Sequence, residues 1–338
     1  MITVAYIGNG KSTNRYHLPF VLGRRDSFQC KTIYSPRIHH DKWPRIDGIT
    51  YTEHLCDVMD DPEIDLVVVC TMHDLHYPYT KMALEHGKHC LCEKPFVETS
   101  EQARELFALA SQRNLIVSVY HCKRYDSDFL TTQQVIRSGV LGEIYEVEMH
   151  YDYYRPYVPA MVPAHHPLYS IVYGHGCHTI DQALCFFGEP LSYRCDARQL
   201  TGKGRMNDYY EIDLHYESFK VKLAASYFRA KARPSFVAYG RKGMFVKQTR
   251  DRQEDHLKLF YMPWQEDFGR DLPEHYGVLT TYDEDGVYHE EKVPSLQGDY
   301  GRTYDDLYEA IVNGREKRIS DRQILLQMEI MEAAMKGL

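Results

Sequence analysis

The sequence predicts an α/β fold in two parts. Residues 1–122 should form a parallel, helix-covered sheet, and residues 123–338 an α+β part built on one large, open-faced, mostly antiparallel sheet. Three observations carry this. Up to residue 122, short β-branched runs alternate with helix-period segments, the pattern of βαβ units whose strands are buried on both faces. Gly8-Asn9-Gly10 forms a glycine turn directly after the first such run and before a helix. Beyond residue 143 the pattern changes to alternation of apolar and polar residues, the mark of half-buried antiparallel strands.

In order, the first part should contain strands at 2–7, 30–34, 66–70, 89–92 and 115–120. The clearest helix lies at 99–113: Thr99 and Gln102 have capping-box spacing, and Ala103, Leu106, Phe107 and Ala110 form an i, i+3, i+4, i+7 stripe. This is a Rossmann-like, dinucleotide-binding arrangement. The second part should open with a helix near 127–138, followed by a long strand at 143–154 and a helix at 174–187. Further strands are expected at 192–199, 209–217, 220–228, 236–239 and 244–248, with a hairpin turning at Asp285-Gly286. The last stretch returns to helix, with Leu307, Ile311, Leu325, Met328 and Ile330 facing inward.

Composition narrows the function class. Net charge is −8 and no long basic run exists, so neither nucleic acid nor an anionic membrane is expected as a partner. No apolar stretch approaches the ~18 residues of a membrane span, and the chain opens directly on a strand, which together predict a cytoplasmic protein. The nine cysteines are scattered, odd in number and without a CxxC pair, which suits unpaired thiols in a reducing compartment. His165, His166, His175 and His178 lack a carboxylate or cysteine in metal-ligand register, so no metal is expected. Many of the 28 tyrosines fall in the second half, where they suit a packed sheet surface or a polar pocket.

The glycine turn and Glu93-Lys94-Pro95 both stand at carboxyl ends of predicted parallel strands, where open α/β sheets bind ligands. Gly8 permits the tight turn, and Gly10 lets backbone approach a pyrophosphate at the start of the helix opened by Lys11, Ser12 and Thr13. Thr13 replaces the usual third glycine. The second strand ends in Ser35-Pro36-Arg37, without the carboxylate that binds ribose hydroxyls in NAD sites. Ser35 and Arg37 suit a 2′-phosphate, which favours NADP(H) over NAD(H). Thr71, His73 and His76 follow the 66–70 strand, where they would face the nicotinamide ribose. A nucleotide and an ionisable amine in one crevice imply a dehydrogenase.

Glu93-Lys94-Pro95, Gly8-x-Gly10 and His178-Thr179-Ile180-Asp181 together resemble the glucose–fructose oxidoreductase/inositol dehydrogenase (Gfo/Idh/MocA) family. So do Val119-Tyr120-His121 with Arg124, Tyr153-Tyr154-Arg155-Pro156, and Gly240-Arg241-Lys242-Gly243. The resemblance runs over essentially the whole chain and is nearest to the NADP-dependent scyllo-inositol dehydrogenase branch. It implies a homodimer or homotetramer assembled through the second sheet. It also implies that Lys94 and His178 flank the reacting carbon; we assign His178 to moving the proton and Lys94 to orienting the substrate oxygen, two roles that could be exchanged, and Glu93 and Lys94 would also touch the cofactor. Alcohol oxidation needs such groups: a proton acceptor and a donor to the developing alkoxide. Arg124, Asp126, Tyr154, Arg155, His175 and His178 would contact a neutral cyclitol or sugar.

Three positions depart from the family. Gly174 stands where an aspartate often precedes the histidine by four residues, with His175 or Asp181 as possible substitutes; Cys122 replaces an asparagine and Tyr125 a tryptophan. The first departure gives a footing to a different class, a nucleotide- and sugar-binding sensor without turnover. A third reading is a reductase of a larger carbonyl or conjugated substrate, which the tyrosines would permit.

Overall fold

The computed structural model describes residues 1–40, 42–162 and 164–338. The chain divides into two compact units. The first comprises Met1–Cys122, Glu254–Phe268 and Tyr300–Leu325; the second comprises Lys123–Gln253, Gly269–Asp299 and Leu326–Leu338.

The first unit holds a six-stranded parallel sheet of β1 (Ile2–Ile7), β2 (Phe28–Tyr34), β3 (Thr50–Thr52), β4 (Leu66–Val69), β5 (His89–Cys92) and β6 (Val117–Val119). Their order is β3-β2-β1-β4-β5-β6. The expected α/β architecture is therefore present, and the strand order reverses direction between β1 and β4. β1 and β4 are buried along their whole length, as strands covered on both faces must be. The helix Ser100–Gln112 carries the predicted capping box, with Thr99 Oγ1 accepting from the Gln102 amide at 3.2 Å. Gln102 Oε1 in turn accepts from the Glu98 amide at 3.0 Å.

Two features of this unit have no strong local signal. β3 is only three residues long and half polar, so alternation does not reveal it. The segments Glu254–Phe268 and Tyr300–Leu325 return from the expected second part to this core: Leu257, Phe268, Tyr300, Tyr304 and Leu307 pack with Tyr6, Phe20 and Phe28. Phe20 meets Phe268 and Tyr300 at ring distances of 6.2 and 5.9 Å, and Phe28 meets Tyr304 at 5.5 Å. A boundary read from a change of periodicity sees where a pattern stops, not where a later aromatic segment re-enters an earlier core.

The second unit holds an eight-stranded sheet of β7 (Ile144–His150), β8 (Ser192–Arg198), β9 (Tyr209–His215), β10 (Lys220–Ser226), β11 (Phe236–Gly240), β12 (Gly243–Lys247), β13 (Gly277–Tyr282) and β14 (Tyr288–Val293). The order is β14-β13-β12-β11-β7-β10-β9-β8, antiparallel throughout except for the parallel pair β7–β10. Val147, Met149, Ile212, Leu214, Val221, Leu223, Phe236 and Phe245 are buried. The helix Ser127–Arg137 lies against β11 and β12, and Cys177–Phe187 against β10. The opposite face carries the half-exposed ion pairs Lys220–Glu146 (3.5 Å) and Lys222–Glu211 (3.3 Å). Gly240 is required at the β11–β12 turn, since an added Cβ would lie 2.1 Å from the Leu141 carbonyl oxygen.

The strand expected at 143–154 ends regularly at His150. Tyr151 and Tyr153 continue its hydrogen bonding, their amides donating to Ala224 O (3.0 Å) and Ser226 O (2.9 Å). The helix expected at 174–187 starts as a wide π-type turn over Val172–Gly176 before Cys177–Phe187. The Asp285-Gly286 hairpin joins β13 and β14, with Gly286 at φ 76°. Leu307, Met328 and Ile330 are buried as expected; Ile311 and Leu325 are only half-buried, and Ile324 and Leu326 take the inward places. No disulfide joins any of the nine cysteines. Among the described residues no helix is long and apolar enough to cross a membrane.

Replacing Thr99 by Ala should lower the unfolding free energy by about 1 kcal/mol through loss of the N-cap acceptor, and Thr99→Ser should restore most of it. Urea-unfolding midpoints of the three proteins check this.

Candidate active site

The chemistry-bearing residues of the first unit gather at the carboxyl ends of β1, β2, β4 and β5. Gly8 leaves β1 at φ 109°, and a Cβ there would sit 2.3 Å from the Cys70 carbonyl oxygen, so only glycine lets β1 and β4 end side by side. At Gly10 an added Cβ would meet nothing within 4 Å, so the backbone above the turn faces open space that a pyrophosphate fits. Thr13, in place of the third glycine, is fully buried and donates its hydroxyl to Gly8 O at 2.6 Å, tying the helix to the turn. The helix opens as a π-type turn, Ser12–His17, and Lys11 is exposed before it. At the end of β2, Ser35 is buried and its Oγ accepts weakly from the Arg37 amide at 3.4 Å, while Arg37 is exposed.

Glu93 organises the opposite side of the turn. One carboxylate oxygen accepts from Ser12 Oγ and lies 3.1 Å from His17 Nε2; the other accepts from the Lys94 amide at 3.0 Å. His17 Nδ1 continues to Tyr304 OH at 2.8 Å, and Tyr304 OH lies 3.4 Å from Tyr6 OH. Burial alone would raise the Glu93 carboxyl; His17, the Lys94 charge and the Ser12 hydroxyl outweigh it and bring it down to about 2. Glu93 is therefore an ionised carboxylate directly beneath Lys94. The link from Ser12 to Lys94 joins the glycine-turn helix to the predicted donor through one side chain.

His76 departs from the role expected of it. It is fully enclosed, with Nδ1 2.7 Å from Pro95 O and Nε2 3.3 Å from Thr71 O. Burial pulls its pKa down, so the ring is neutral, and the shorter contact marks Nδ1 as the donor. It braces the Lys94-Pro95 turn against the end of β4 instead of facing a nucleotide. His73, half-exposed beside it, is pushed down to about 4 by burial first and then by the neighbouring His76 and Lys94. It is neutral near pH 7.

In the second unit the structure gathers His175 and His178 with Tyr153 and Arg155 of the Tyr-Tyr-Arg-Pro stretch and with Tyr151, Tyr227 and Arg250, which the sequence did not single out. Tyr151 stacks on His175 (5.1 Å, 17°) and on His178 (5.9 Å, 25°). Tyr153 lies 5.0 Å from His175, and His175 Nε2 is 2.9 Å from Tyr227 OH. Burial raises the Tyr227 phenol well above its usual value, keeping it protonated. Arg250 lies over both Tyr151 (4.6 Å) and Tyr153 (4.5 Å), and Arg155 lies over Tyr153 at 3.9 Å. Period-2 alternation was the signal for Tyr151 and Tyr153: they share a face, and Tyr154, between Tyr153 and Arg155, projects away at 63% exposure. Arg250 follows β12 and has no local marker.

Two expected substrate contacts are otherwise engaged. The Arg124 guanidinium grips Asp181 through two bonds, Nε–Oδ2 at 2.8 Å and Nη2–Oδ1 at 2.6 Å, with both side chains buried. That pair also removes Asp181 as a stand-in for the missing aspartate. Asp126 is buried at the start of the Ser127–Arg137 helix and faces Lys123 Nζ at 3.5 Å. At Gly174 a Cβ would meet nothing within 4 Å, so crowding does not account for the absent carboxylate.

A parallel sheet with a glycine turn at its switch point, the ionised Glu93 carboxylate beside it and a following open-faced sheet make up the architecture of a dinucleotide-binding domain joined to a second α/β unit. Residues 2–121 match an oxidoreductase family described as an NAD-binding Rossmann fold, and residues 133–337 match its C-terminal alpha/beta domain. The chain belongs to the Gfo/Idh/MocA oxidoreductase family and is an NAD(P)-dependent oxidoreductase. It is 42% identical over 333 residues to the uncharacterized oxidoreductase YhhX of Escherichia coli, covering 98% of this chain and 95% of that one. It is 31% identical over 337 residues to the scyllo-inositol 2-dehydrogenase (NADP(+)) IolW of Bacillus subtilis, covering 99% and 93%. Among solved structures, the oxidoreductase yhhX superposes with a TM-score of 0.92 at 41% identity over 100% of this chain and 97% of that one. An oxidoreductase from Bacillus cereus gives 0.90 at 35% identity over the same shares.

Glu93 has a depressed pKa in the folded chain, so its contribution to stability is present above the ordinary carboxylate range, near 4.3, and fades as pH falls toward 2. Glu93→Gln should therefore cost about 2 kcal/mol at pH 6, and the gap to wild type should narrow at pH 3. Denaturant midpoints of both proteins at the two pH values check it.

Proposed function

We propose that this chain is an NADP(H)-dependent dehydrogenase that oxidises a secondary alcohol of a cyclitol or sugar, or reduces the corresponding ketone. The carrying observation is the end of β2: Ser35 is buried with its hydroxyl at the turn, Arg37 is exposed, and no carboxylate follows the strand. A 2′-phosphate is complemented by an arginine there, whereas a diol without one wants an acceptor. The name of the relative IolW supports the same cofactor and a polyol substrate. The relatives named D-glucoside 3-dehydrogenase and D-xylose 1-dehydrogenase (NADP(+)), each matched over less than half of this chain, point to carbohydrate substrates.

Gly8, Gly10, Ser12 and Thr13 hold the pyrophosphate end of the cofactor, and Ser35 and Arg37 its 2′-phosphate; Thr71, His73 and the Glu93-Lys94 turn border the nicotinamide end. The bound nicotinamide supplies hydride transfer. Lys94 Nζ donates a hydrogen bond to the substrate oxygen, with Glu93 fixing the backbone beneath it. His178 takes or returns the hydroxyl proton, its ring plane set by the Tyr151 stack. Homodimers or homotetramers form through the outer face of the second sheet. A cytoplasmic location suits the redox state of the thiols. The competing sensor reading rests on Gly174 alone.

Absorbance at the nicotinamide band, followed with NADP+ and with NAD+ over cyclitols and aldoses, tests the reading. NADP+ should be preferred, and Arg37→Ala should raise its KM about 10- to 30-fold with less effect on NAD+, in line with roughly 2 kcal/mol for a charged hydrogen bond. Lys94→Ala and His178→Ala should each lower kcat at least ~100-fold. Activity that survives both substitutions would overturn the catalytic assignment, and tight NADPH binding with no turnover on any polyol would favour the sensor.

A further inference from the structure

Behind Lys94 stands a closed chain of side chains, all within the first unit. His17 Nε2 is 3.1 Å from Glu93, an ionised carboxylate that can only accept, so Nε2 carries a hydrogen. His17 Nδ1 is 2.8 Å from Tyr304 OH, which lies 3.4 Å from Tyr6 OH. Burial raises both phenols well above their usual values, so each brings one hydrogen. A neutral ring with its hydrogen on Nε2 therefore gives one hydrogen to every link, each aimed toward the carboxylate: Tyr6 to Tyr304, Tyr304 to His17, His17 to Glu93. An imidazolium would turn the Tyr304 link round and leave the Tyr6 hydroxyl hydrogen without an acceptor among the described residues, which a closed aromatic core does not compensate. Burial opposes the Glu93 charge, and the first of the groups that outweigh it is the His17 hydrogen bond, which a neutral ring supplies. A charge on His17 would add to this, but the Lys94 charge and the Ser12 hydroxyl give the same help from the other side. Tyr304 itself is held in place by its helix, Arg302–Val312, where Arg24 grips Asp305 at 2.6 and 3.0 Å.

We propose that Tyr304 is a positioning residue of this site: its hydroxyl donates to His17 Nδ1, so His17 holds Glu93 as a neutral donor and the Glu93 charge is left to Lys94. This rests on the dehydrogenase reading for its purpose and makes it more specific. An ammonium at Lys94 is the donor that orients the substrate oxygen, and an unshared carboxylate beside it favours that charged form. An imidazolium at His17 would share the carboxylate and weaken that preference. The chain of phenols thus decides which of two exchangeable roles Lys94 takes. Of the other titratable groups packed here, Cys30, Cys70 and Tyr120 are held protonated by burial. His73 and His76 are kept neutral by burial, and Asp74 acts on His73 from the same turn. Arg15, on the same helix as His17, lies over Trp43 and Phe260 instead.

Two measurements on the full chain test this, and neither needs a substrate. With 15N in the histidine rings, the His17 signals are assigned by their loss in His17→Gln. Wild type at pH 7 should show Nε2 protonated and Nδ1 bare. In Tyr304→Phe, which removes the hydroxyl and keeps the ring, His17 should take up a second proton. The Lys94 titration midpoint is read from the pH dependence of its acetylation by acetic anhydride, followed by peptide mass spectrometry. Tyr304→Phe should move that midpoint down by about half a pH unit or more, roughly a threefold change in the acid constant. His17→Gln, whose amide donates to Glu93 and has no tautomer, should leave the midpoint at the wild-type value, and adding Tyr304→Phe to it should change nothing further. A purely structural Tyr304 would lower the unfolding midpoint in both backgrounds and leave Lys94 unmoved. A wild-type His17 with hydrogen on Nδ1, alone or beside Nε2, overturns the proposal. So does a Lys94 midpoint that Tyr304→Phe leaves in place or shifts equally in both backgrounds. The wild-type ring spectrum decides by itself if the Tyr304 variant fails to fold. NADP+-dependent oxidation of a polyol by a chain whose His17 is doubly protonated leaves the dehydrogenase standing and the Tyr304 role refuted. A neutral His17 with the Tyr304-dependent Lys94 shift, and no turnover, does the reverse.

Discussion

Glu93 is a buried carboxylate at the point where two βα turns meet, and it stays ionised there because four groups converge on it. Ser12 and His17 reach it from the helix after β1, the Lys94 amide from its own turn, and the Lys94 charge from above. A carboxylate that left water without such partners would take up a proton instead. The arrangement has a structural consequence beyond the charge itself. The glycine turn is shaped by Gly8 against Cys70, the helix is tied to it by Thr13, and Ser12 on that same helix touches Glu93. The end of β1, which suits phosphate, and the end of β5, which carries the amine, are therefore one hydrogen-bonded piece. Tyr304 and Tyr6 extend it into the aromatic core, so the returning segment Tyr300–Leu325 supports the site as well as the fold.

The arginines of the second unit show how burial decides what a charge can do. Arg124 and Asp181 are almost wholly out of water and satisfy each other bidentately, an arrangement that costs much desolvation and is disrupted at high cost if one partner is removed. Such a pair fixes the helix Cys177–Phe187 relative to the segment before Ser127–Arg137, and so fixes where His178 sits. Arg155 and Arg250 are half-exposed and lie on tyrosine faces. Stacking on an aromatic orients a guanidinium through its flat face. A single residue type thus serves as enclosed scaffold in one place and as an aromatic-stacked, half-exposed group in another, and sequence position alone does not separate the two.

Much of the fold was legible because its signals are local. The parallel strands are short apolar runs, the helix after β5 announces itself through Thr99 and Gln102, and the β13–β14 hairpin through Asp285-Gly286. Gly8 was legible for the same reason, since a φ of 109° is a need of the turn itself. What escaped depends on residues far apart in the chain. Tyr304 meets His17 across 287 positions, and Arg250 meets Tyr151 and Tyr153 from the end of a different strand. His76 and Arg124 looked like site residues because each sits beside a motif, yet each is enclosed and committed to backbone or to a carboxylate. Spacing can place a polar residue near a site, but only packing shows whether its polar atoms are left for a ligand.

Gly174 brings these lines together. A carboxylate one helical turn before His178 would do two things: hold the ring in place and favour its protonated form. In this chain the first task falls to Tyr151, which stacks on both His175 and His178, and to the π-type turn Val172–Gly176, which sets where the two rings stand on the helix. For the second task position 174 supplies no charge, and its surroundings would admit a side chain there, so the departure is one of composition and not of space. The orientation of His178 is thus carried by an aromatic face and by a widened turn of its own helix, two features that act through shape instead of through charge.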